Sequence, residues 1–384
     1  MKISIPVIQV LVAVLFIISG LIKANDPLGL AYKMEEYFEL WSTAAVNKKG
    51  LISFFDFFHN QSLPLSIFMI SLEIVTGVAL LVGWKKRFIL WLLLLLIIFF
   101  TFFTGYAYLS GKFTNCGCFG DCIPITPLMS FTKDIILLAM IAFLLAGQKY
   151  IQPLFSKRTR TIMLTGTLVF SLALQWYAFT YLPFVDCLPF QKGNNITEQM
   201  KSPPGSLPDS IAMRFIYEKG GKRYEFAPEN LPADFNTYTY IDRIDKIVRK
   251  GNAVPPIQGF ILKGVGDIDS ASAILGMPRG VLIFSKHLKG DWMEDLKEMY
   301  GKISNTVPVF IITSTSMNTA ANILSKNGIN GLQVFTLDNV AVKTAARTEP
   351  TIYYLEKGTV IKKWSGKEFD EAANYILKNK FKIQ

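Results

Sequence analysis

Five long apolar stretches constrain this chain more than any other feature. Each contains the roughly 20 residues that an α-helix needs to cross the hydrocarbon core of a bilayer. The sequence therefore predicts membrane-spanning helices over 5–22, 65–83, 88–109, 128–146 and 162–184. The first stretch ends in SGLIKAND, which lacks a small-x-small cleavage site, so we expect a retained helix and not a cleaved signal peptide.

The basic residues between the stretches predict the orientation. They cluster in the second-to-third and fourth-to-fifth connections, which we expect to be cytoplasmic by the positive-inside rule. This puts the N-terminus in the cytoplasm and the chain after residue 184 on the outer side, in the periplasm of a bacterial inner membrane. The same placement argues against nucleic acid as the partner of a chain of net charge +11. The aromatic-rich segment 24–63 is then also outside, and we expect an amphipathic hairpin at the membrane surface.

All four cysteines fall on the predicted outer side. Cys116, Cys118 and Cys122 lie in NCGCFGDCIPITP between the third and fourth stretches, and Cys187 follows the fifth. Three interpretations are open. The cysteines form structural disulfides that tie the loop to the fifth span, or a pair exchanges electrons with a partner thiol or a quinone. The third is a four-cysteine metal site, but C-x-C-x₃-C is not a usual zinc spacing, and we predict no metal.

Charged residues interrupt the apolar stretches. Glu73 lies well inside the second stretch, Lys23 ends the first, and Lys133-Asp134 lies near the start of the fourth. A lone carboxylate at that depth is costly, so Glu73 is expected to be neutral or paired with Lys23 or Lys133. The alternatives are a proton relay or polar pocket beside the cysteine loop, and an internal ion pair that locks the bundle. A transporter is a further, weaker hypothesis.

The segments FIISGLIKANDPLG, EIVTGVALLVGW and NCGCFGDCIPITPLMSFTKDIILL resemble the DoxX-like membrane proteins. The CGCFG loop is most similar to the MauE branch, the methylamine-utilisation accessory proteins. The resemblance covers about residues 5–147 and implies a four-helix core. It also implies a role in thiol, disulfide or quinone-linked redox work, often in the maturation of another protein.

The remainder of the chain reads as a soluble region. AMRFIYEKGGKRYEFA alternates on both sides of a Gly-Gly turn and predicts a β-hairpin. After NAVPPIQGF, five strand-like runs at 280–285, 307–314, 331–337, 351–358 and 359–366 alternate with helical patterns and predict an α/β domain.

The stretch TEPTIYYLEKGTVIKKWSGKEFDEAANYI resembles the end of a thioredoxin fold. The resemblance implies a cis Pro350 facing a groove, with Thr351 beside it as part of a partner-binding surface. Where a thioredoxin has Cys-x-x-Cys, this chain has FSKHLKGDW and no cysteine, so dithiol chemistry in this domain alone is excluded. His287 in that loop is interpreted as incidental. The domain could bind a partner or cover the cysteine loop, and the first use is preferred.

These observations predict an α-helical membrane bundle followed by an α/β thioredoxin-like domain. The predicted divisions are 1–150 for the four-helix domain, 151–186 for the fifth span, 187–256 for a linker with a hairpin, and 257–384 for the thioredoxin-like domain. The leading hypothesis is an accessory membrane protein in thiol-disulfide or quinone-linked redox, or in maturation of an extracytoplasmic protein partner. A membrane quinone is the one cofactor considered, and whether the chain is an enzyme is left open. The alternative is a non-enzymatic scaffold with structural disulfides.

Overall fold

The protein is described by a computed structural model covering residues 4–46, 48–111, 113, 120, 122–123, 125–208, 210–249 and 251–379. Its first half is helical. The helices are α1 (Ser4–Asn25), α2 (Pro27–Ala44), α3 (Lys49–Asn60), α4 (Ser62–Leu81), α5 (Lys86–Ser110), α6 (Pro127–Ala146) and α7 (Lys157–Thr180). Within the described ranges, α1, α4, α5, α6 and α7 are long and apolar enough to cross a membrane, which confirms the five predicted stretches.

Small residues bring α1 and α4 together. A Cβ atom added at Gly20 would lie 2.5 Å from Cγ1 of Ile74, and one at Gly77 would lie 2.9 Å from Cγ1 of Ile17. Close approach through glycine is a common basis of helix packing in lipid, where burial of apolar side chains supplies no driving force. The glycines in SGLIKAND and IVTGVALL therefore fix the central contact of the bundle.

The segment between the first two spans folds into two helices that pack on each other. Asp26 caps α2 by accepting a hydrogen bond from the Gly29 backbone N–H at 3.1 Å, and Pro27 occupies its first turn. Helix α3 exposes Leu51, Phe54 and Phe57. The expected amphipathic hairpin is thus helical, and its location at a membrane surface remains a prediction.

Two basic connections meet at one end of the bundle, called here the basic end. The Lys86 ammonium donates to the Ile151 carbonyl at 2.8 Å, and Arg160 donates to the Gly83 carbonyl at 3.1 Å. Antiparallel connectivity then puts the α5–α6 loop and the end of α7 at the opposite end, called the cysteine end. The shared position of the two basic loops is the arrangement that the positive-inside argument requires.

Beyond α7 and a short α8 (Ile196–Gln199), a three-stranded antiparallel sheet forms in the order β2-β1-β3. Its strands are β1 (Ser210–Lys219), β2 (Lys222–Phe226) and β3 (Thr239–Arg249). The hairpin expected at Gly220-Gly221 is confirmed, since both glycines have positive φ. Strand β3 was not predicted, because its apolar residues Ile241, Ile244 and Val248 recur at helical rather than alternating spacing.

The C-terminal α/β domain has a five-stranded sheet in the order β6-β5-β4-β7-β8. Its elements are α9 (Ala271–Leu275), β4 (Gly280–Ser285), α10 (Trp292–Ile303), β5 (Val309–Thr313), α11 (Met317–Lys326), β6 (Gln333–Thr336), α12 (Asn339–Ala345), β7 (Thr351–Glu356), β8 (Thr359–Ser365) and α13 (Phe369–Lys378). Strands β4, β5 and β6 are parallel, and β7 and β8 are antiparallel to their neighbours. All five predicted strands are confirmed. Strands β4 and β5 are buried throughout, which explains their unbroken apolar runs.

Part of the segment 187–256 packs into this domain. Phe190 and Ile196 are buried with Phe260 in one of its two apolar clusters. The Gly193 N–H donates to the Val360 carbonyl at 2.8 Å, next to strand β8. The chain that leaves the membrane bundle is therefore held against the α/β domain before the three-stranded sheet begins.

Candidate functional site

One disulfide bond joins the α5–α6 loop to the chain after α7. It links Cys122 to Cys187, whose Cα atoms are 4.8 Å apart and whose positions differ by 65 in sequence. This is the connection that the structural-disulfide interpretation expects. In the disulfide-bonded state neither sulfur is a thiolate, so the four-thiolate metal site is incompatible with it. Cys116 and Cys118 lie outside the described residues.

Cys187 forms part of the wall of a cleft of about 500 Å³ at the cysteine end. The opposite walls come from the outer faces of α2 and α12 and from the proline-rich chain before α9. Their side chains include Tyr32, Lys33, Glu36, Pro255, Val340, Lys343, Thr344 and Arg347. The cleft thus lies between the membrane half and the α/β domain, with one cysteine of the disulfide among its lining residues.

Ion pairs hold the α/β domain against the bundle. Their shared feature is an acidic residue from the membrane half or its exit and a basic residue from the domain: Asp26 with Arg347 at 2.7 Å, Glu35 with Lys343, and Asp186 with Lys363 at 2.7 Å. Most of these side chains are largely buried, so the charges are only partly screened by water. No local sequence pattern predicts this interface, because the partners are up to 321 positions apart.

Tyr32 lies at the centre of this interface. The Lys343 ammonium is 5.3 Å and the Arg347 guanidinium 5.5 Å from the centroid of its ring, within cation–π range. Burial raises the pKa of the Tyr32 hydroxyl well above its usual range, while Arg347 acts in the opposite direction. Tyr32 is therefore a neutral, aromatic contact for two cations.

A second charged cluster lies inside the bundle. The Lys23 ammonium is 2.7 and 2.9 Å from the two carboxylate oxygens of Glu73, and it also donates to the Ser19 hydroxyl at 3.1 Å. Both charged side chains are almost completely buried. The Phe100 ring lies 4.3 Å from the ammonium. Of the two partners expected for Glu73, the structure selects Lys23.

Lys133 pairs with its neighbour Asp134 at 2.6 Å. Asp134 is fully buried and accepts a hydrogen bond from the Thr104 hydroxyl on α5 at 2.9 Å. All four predicted intramembrane residues line one small space of about 20 Å³. That space suffices for about one water molecule, which needs polar partners of this kind. The pairing fits the internal ion pair interpretation, and proton transfer through the cluster remains a prediction.

Polar contacts between α4 and α7 were missed by the sequence analysis. The Gln175 side chain donates to the Ser71 hydroxyl at 2.9 Å, and Ser171 lies 3.3 Å from the same oxygen. All three side chains are buried. The polar positions within LTGTLVFSLALQWYAF were a detectable sign that one face of the fifth span contacts protein.

The region around Pro350 faces the bundle. The Glu349–Pro350 peptide bond is cis, as the resemblance implied, and both Pro350 and Thr351 are buried. The accessible surface beside them belongs to Glu349, which lines a cavity of about 380 Å³ together with the buried Thr348. Its other wall is formed by the helix ends of the membrane half, through Leu28, Leu63, Phe179 and Thr180. A partner in this groove would therefore contact both halves of the molecule.

Glu349 is the functional candidate that the sequence did not reveal. Its carboxylate accepts hydrogen bonds from the Ser285 hydroxyl at 2.7 Å and from the Lys286 backbone N–H at 3.0 Å, at the end of β4. Although part of the side chain is exposed, loss of hydration from the surrounding protein raises the pKa of this carboxyl, and the same hydrogen bonds oppose the rise. Its exposed surface faces the cavity. Burial and the neighbouring Lys286 and Lys289 lower the pKa of His287, for which no further role emerges.

Comparison with known families gives two matches. Residues 1–147 match the family described as methylamine utilisation protein MauE, and residues 211–250 match a domain of unknown function, DUF8463. The second match coincides with the three-stranded sheet. No curated protein and no solved structure matches. With its five apolar helices, the chain is therefore a membrane protein with a MauE-like N-terminal region.

Proposed function

We propose that this membrane protein carries out thiol-disulfide exchange on the outer side of a bacterial inner membrane, as an accessory in the maturation of an extracytoplasmic protein. The observation that carries the proposal is the Cys122–Cys187 disulfide on the surface of a cleft. A disulfide that only staples a structure has no need of an accessible sulfur. Cys116 and Cys118, in the same short loop as Cys122, supply a second pair of thiols for exchange.

In this proposal the α/β domain acts as a recognition module. Its strand order, with three parallel strands followed by an antiparallel pair, supports the thioredoxin-like assignment. The domain has no cysteine of its own. All redox capacity therefore belongs to the membrane half, and the domain shapes the cleft through which a partner reaches it.

Electrons gained by the cysteines need an acceptor, for which we propose a membrane quinone. Oxidation of two thiols by a quinone forms one disulfide and one quinol, so both protons and both electrons are accounted for. Cys122 and Cys187 follow the ends of apolar helices α5 and α7, which supports a membrane-soluble acceptor. The name of the matched family suggests a utilisation operon as the setting, and the partner would then be one of its extracytoplasmic proteins.

Thiol trapping in cells tests this function. Cells expressing the full chain are acid-quenched, alkylated with a mass tag, and compared with and without quinone synthesis. We expect reduced Cys122 and Cys187 to accumulate when quinone is depleted, and Cys118→Ser to change that response. The exposed neighbour variant Ile123→Val serves as the control. Cysteines that stay fully oxidised in both conditions, with Cys118→Ser silent, would exclude the redox function.

A non-enzymatic scaffold is the second candidate, and the buried ion pairs between the two halves favour it. In that case the disulfide and the ion pairs serve only to fix the α/β domain on the bundle. Removal of the disulfide would then lower stability without a redox phenotype. The outer placement that both candidates share is tested by a C-terminal alkaline phosphatase fusion, which should be active.

A further inference from the structure

The two cysteines of the disulfide differ in their relation to the cleft. Both side chains are half-buried, but Cys187 lines the cleft between α2 and α12 and Cys122 does not. Thiol-disulfide exchange requires the attacking thiolate to approach one sulfur while the other leaves. A thiolate that enters through the cleft would therefore meet Cys187 and not Cys122.

The charged side chains that line the cleft are paired. Lys33 is 3.0 Å from Glu36, Arg347 is 2.7 Å from Asp26, and Lys343 pairs with Glu35. Each cation therefore has a carboxylate partner, and position and shape, not net charge, decide what the cleft accepts.

Size and apolar surface indicate what the cleft accepts. Its volume of about 500 Å³ lies in the range of small-ligand sites and is too small for a folded domain. Val254 and Val340 expose about half of their surface on its rim. A cysteine in an extended polypeptide segment, with one or two flanking residues, fits both the volume and the apolar rim.

We propose that the cleft admits the cysteine thiolate of an extended polypeptide, and that this thiolate attacks Sγ of Cys187. The new bond joins the partner sulfur to Cys187, the Cys122–Cys187 bond breaks, and its electron pair leaves on Cys122 as a thiolate. A second thiolate of the partner then attacks the partner's own sulfur and releases Cys187. The partner loses two electrons and gains a disulfide, while Cys122 and Cys187 become the reduced pair. This inference rests on the proposed function and specifies its substrate class and electrophilic sulfur.

The site of attack is testable on the purified full chain in detergent. A small anionic thiol, 2-mercaptoethanesulfonate, is added briefly, the reaction is quenched with acid, free thiols are alkylated, and the adduct is located by peptide mass spectrometry. We expect the adduct on Cys187 to exceed that on Cys122 by about tenfold, as unequal access to the two sulfurs predicts. Equal labelling, or an adduct mainly on Cys122, would overturn the assignment. A Cys116→Ser/Cys118→Ser chain run in parallel removes internal exchange as a source of scrambling.

A matched pair of tryptophan substitutions tests the access route. Val340 and Val265 are both exposed, but only Val340 lines the cleft. With glutathione as the probe, Val340→Trp should slow reduction by about fivefold or more because it fills the route that orients the thiol. Val265→Trp should leave the rate unchanged. Equal rates for both variants would show that attack does not pass through the cleft.

The outcomes separate this inference from the proposed function. In one outcome, the purified protein is attacked on Cys187 through the cleft, but the cysteines never become reduced in cells. This result would support the chemistry of the cleft and exclude its cellular role. Redox cycling in cells with attack on Cys122 would retain the function and reject the cleft. Both results are read from different samples, so neither can mask the other.

Discussion

The interior of the bundle and the junction between the bundle and the α/β domain both contain ion pairs, but in different surroundings. Lys23 and Glu73 are 3% and 4% exposed and are enclosed by apolar helices. At the junction, Asp26 and Glu35 each retain 14% exposure, and their partners Arg347 and Lys343 line the open cleft. Since the effective dielectric differs, loss of one charge should be far more damaging in the bundle than at the junction. The comparison suggests that the charges inside the bundle are needed for its fold, while those at the junction adjust how strongly the α/β domain binds to the bundle.

The largest expected effect comes from breaking the buried pair. Glu73→Leu leaves the Lys23 ammonium without its carboxylate inside the bundle, and we expect a loss of about 3–5 kcal/mol in the free energy of unfolding. Unfolding in mixed detergent micelles, followed by circular dichroism, measures it. The double variant Lys23→Met/Glu73→Leu should recover most of the loss, because no uncompensated charge remains. A double variant as unstable as the single one would point to a role for the charges beyond pairing.

Loss of the disulfide is expected to rank next. The bond links two cysteines that are 65 positions apart in sequence. Cys187→Ser removes this link, and the chain-entropy account predicts a loss of about 2–4 kcal/mol in the free energy of unfolding. Cys122→Ser should have the same effect, and the two changes should not add, since they remove one bond. Thermal unfolding of both variants, with reduced wild-type chain as the reference, measures this. Additive losses would mean that one cysteine has a further structural partner.

The junction should show a smaller and salt-dependent effect. Arg347→Gln removes the partner of Asp26, and a double-mutant cycle with Asp26→Asn should give a coupling free energy of about 1–2 kcal/mol that falls as salt rises. Limited proteolysis of the chain around residues 187–256 reports the release of the domain. A coupling free energy as large as that between Lys23 and Glu73 would show that the charges of the two regions do not differ in their contribution to stability.

Substitution of Glu349 should change the stability least, and the sign of its pH dependence follows from the raised pKa. Burial raises its pKa above the ordinary 4.5, so the folded protein binds this proton more tightly than the unfolded chain does. Its contribution to stability is present below pH 4.5 and is lost as pH rises through the folded pKa. Glu349→Gln cannot ionise, so its stability relative to wild type should increase between pH 4 and 8. Thermal unfolding across that range measures the trend.

A second variant sharpens the same test. The Ser285 hydroxyl lowers the pKa of Glu349 by hydrogen bonding to its carboxylate. Ser285→Ala should therefore move the loss of stability to higher pH, while Glu349→Gln should abolish it. An unchanged pH profile in both variants would mean that Glu349 does not control the stability of this region.

Much of the architecture could be predicted from the sequence because it depends on local patterns. The five spans follow from uninterrupted apolar length, and the strands of the α/β domain follow from short apolar runs between helical patterns. Strand β3 could not be predicted in this way, since Ile241, Ile244 and Val248 form a strand only because β1 supplies the pairing edge. Of the candidate site, the residue types were identified, but the role of Glu349 in holding the end of β4 was not.

The sequence by itself determined that Glu73 had to be paired, and it predicts, without a test so far, that the four cysteines share the outer side of the membrane. Glu73 needed a partner because an isolated carboxylate is costly in lipid, whatever the fold. Only the tertiary structure decided the identities: Lys23 for Glu73, Cys187 for Cys122, and Arg347 for Asp26. Such choices depend on which side chains packing brings within a few ångströms, and separations of 50 to 321 positions carry no local pattern from which to infer them.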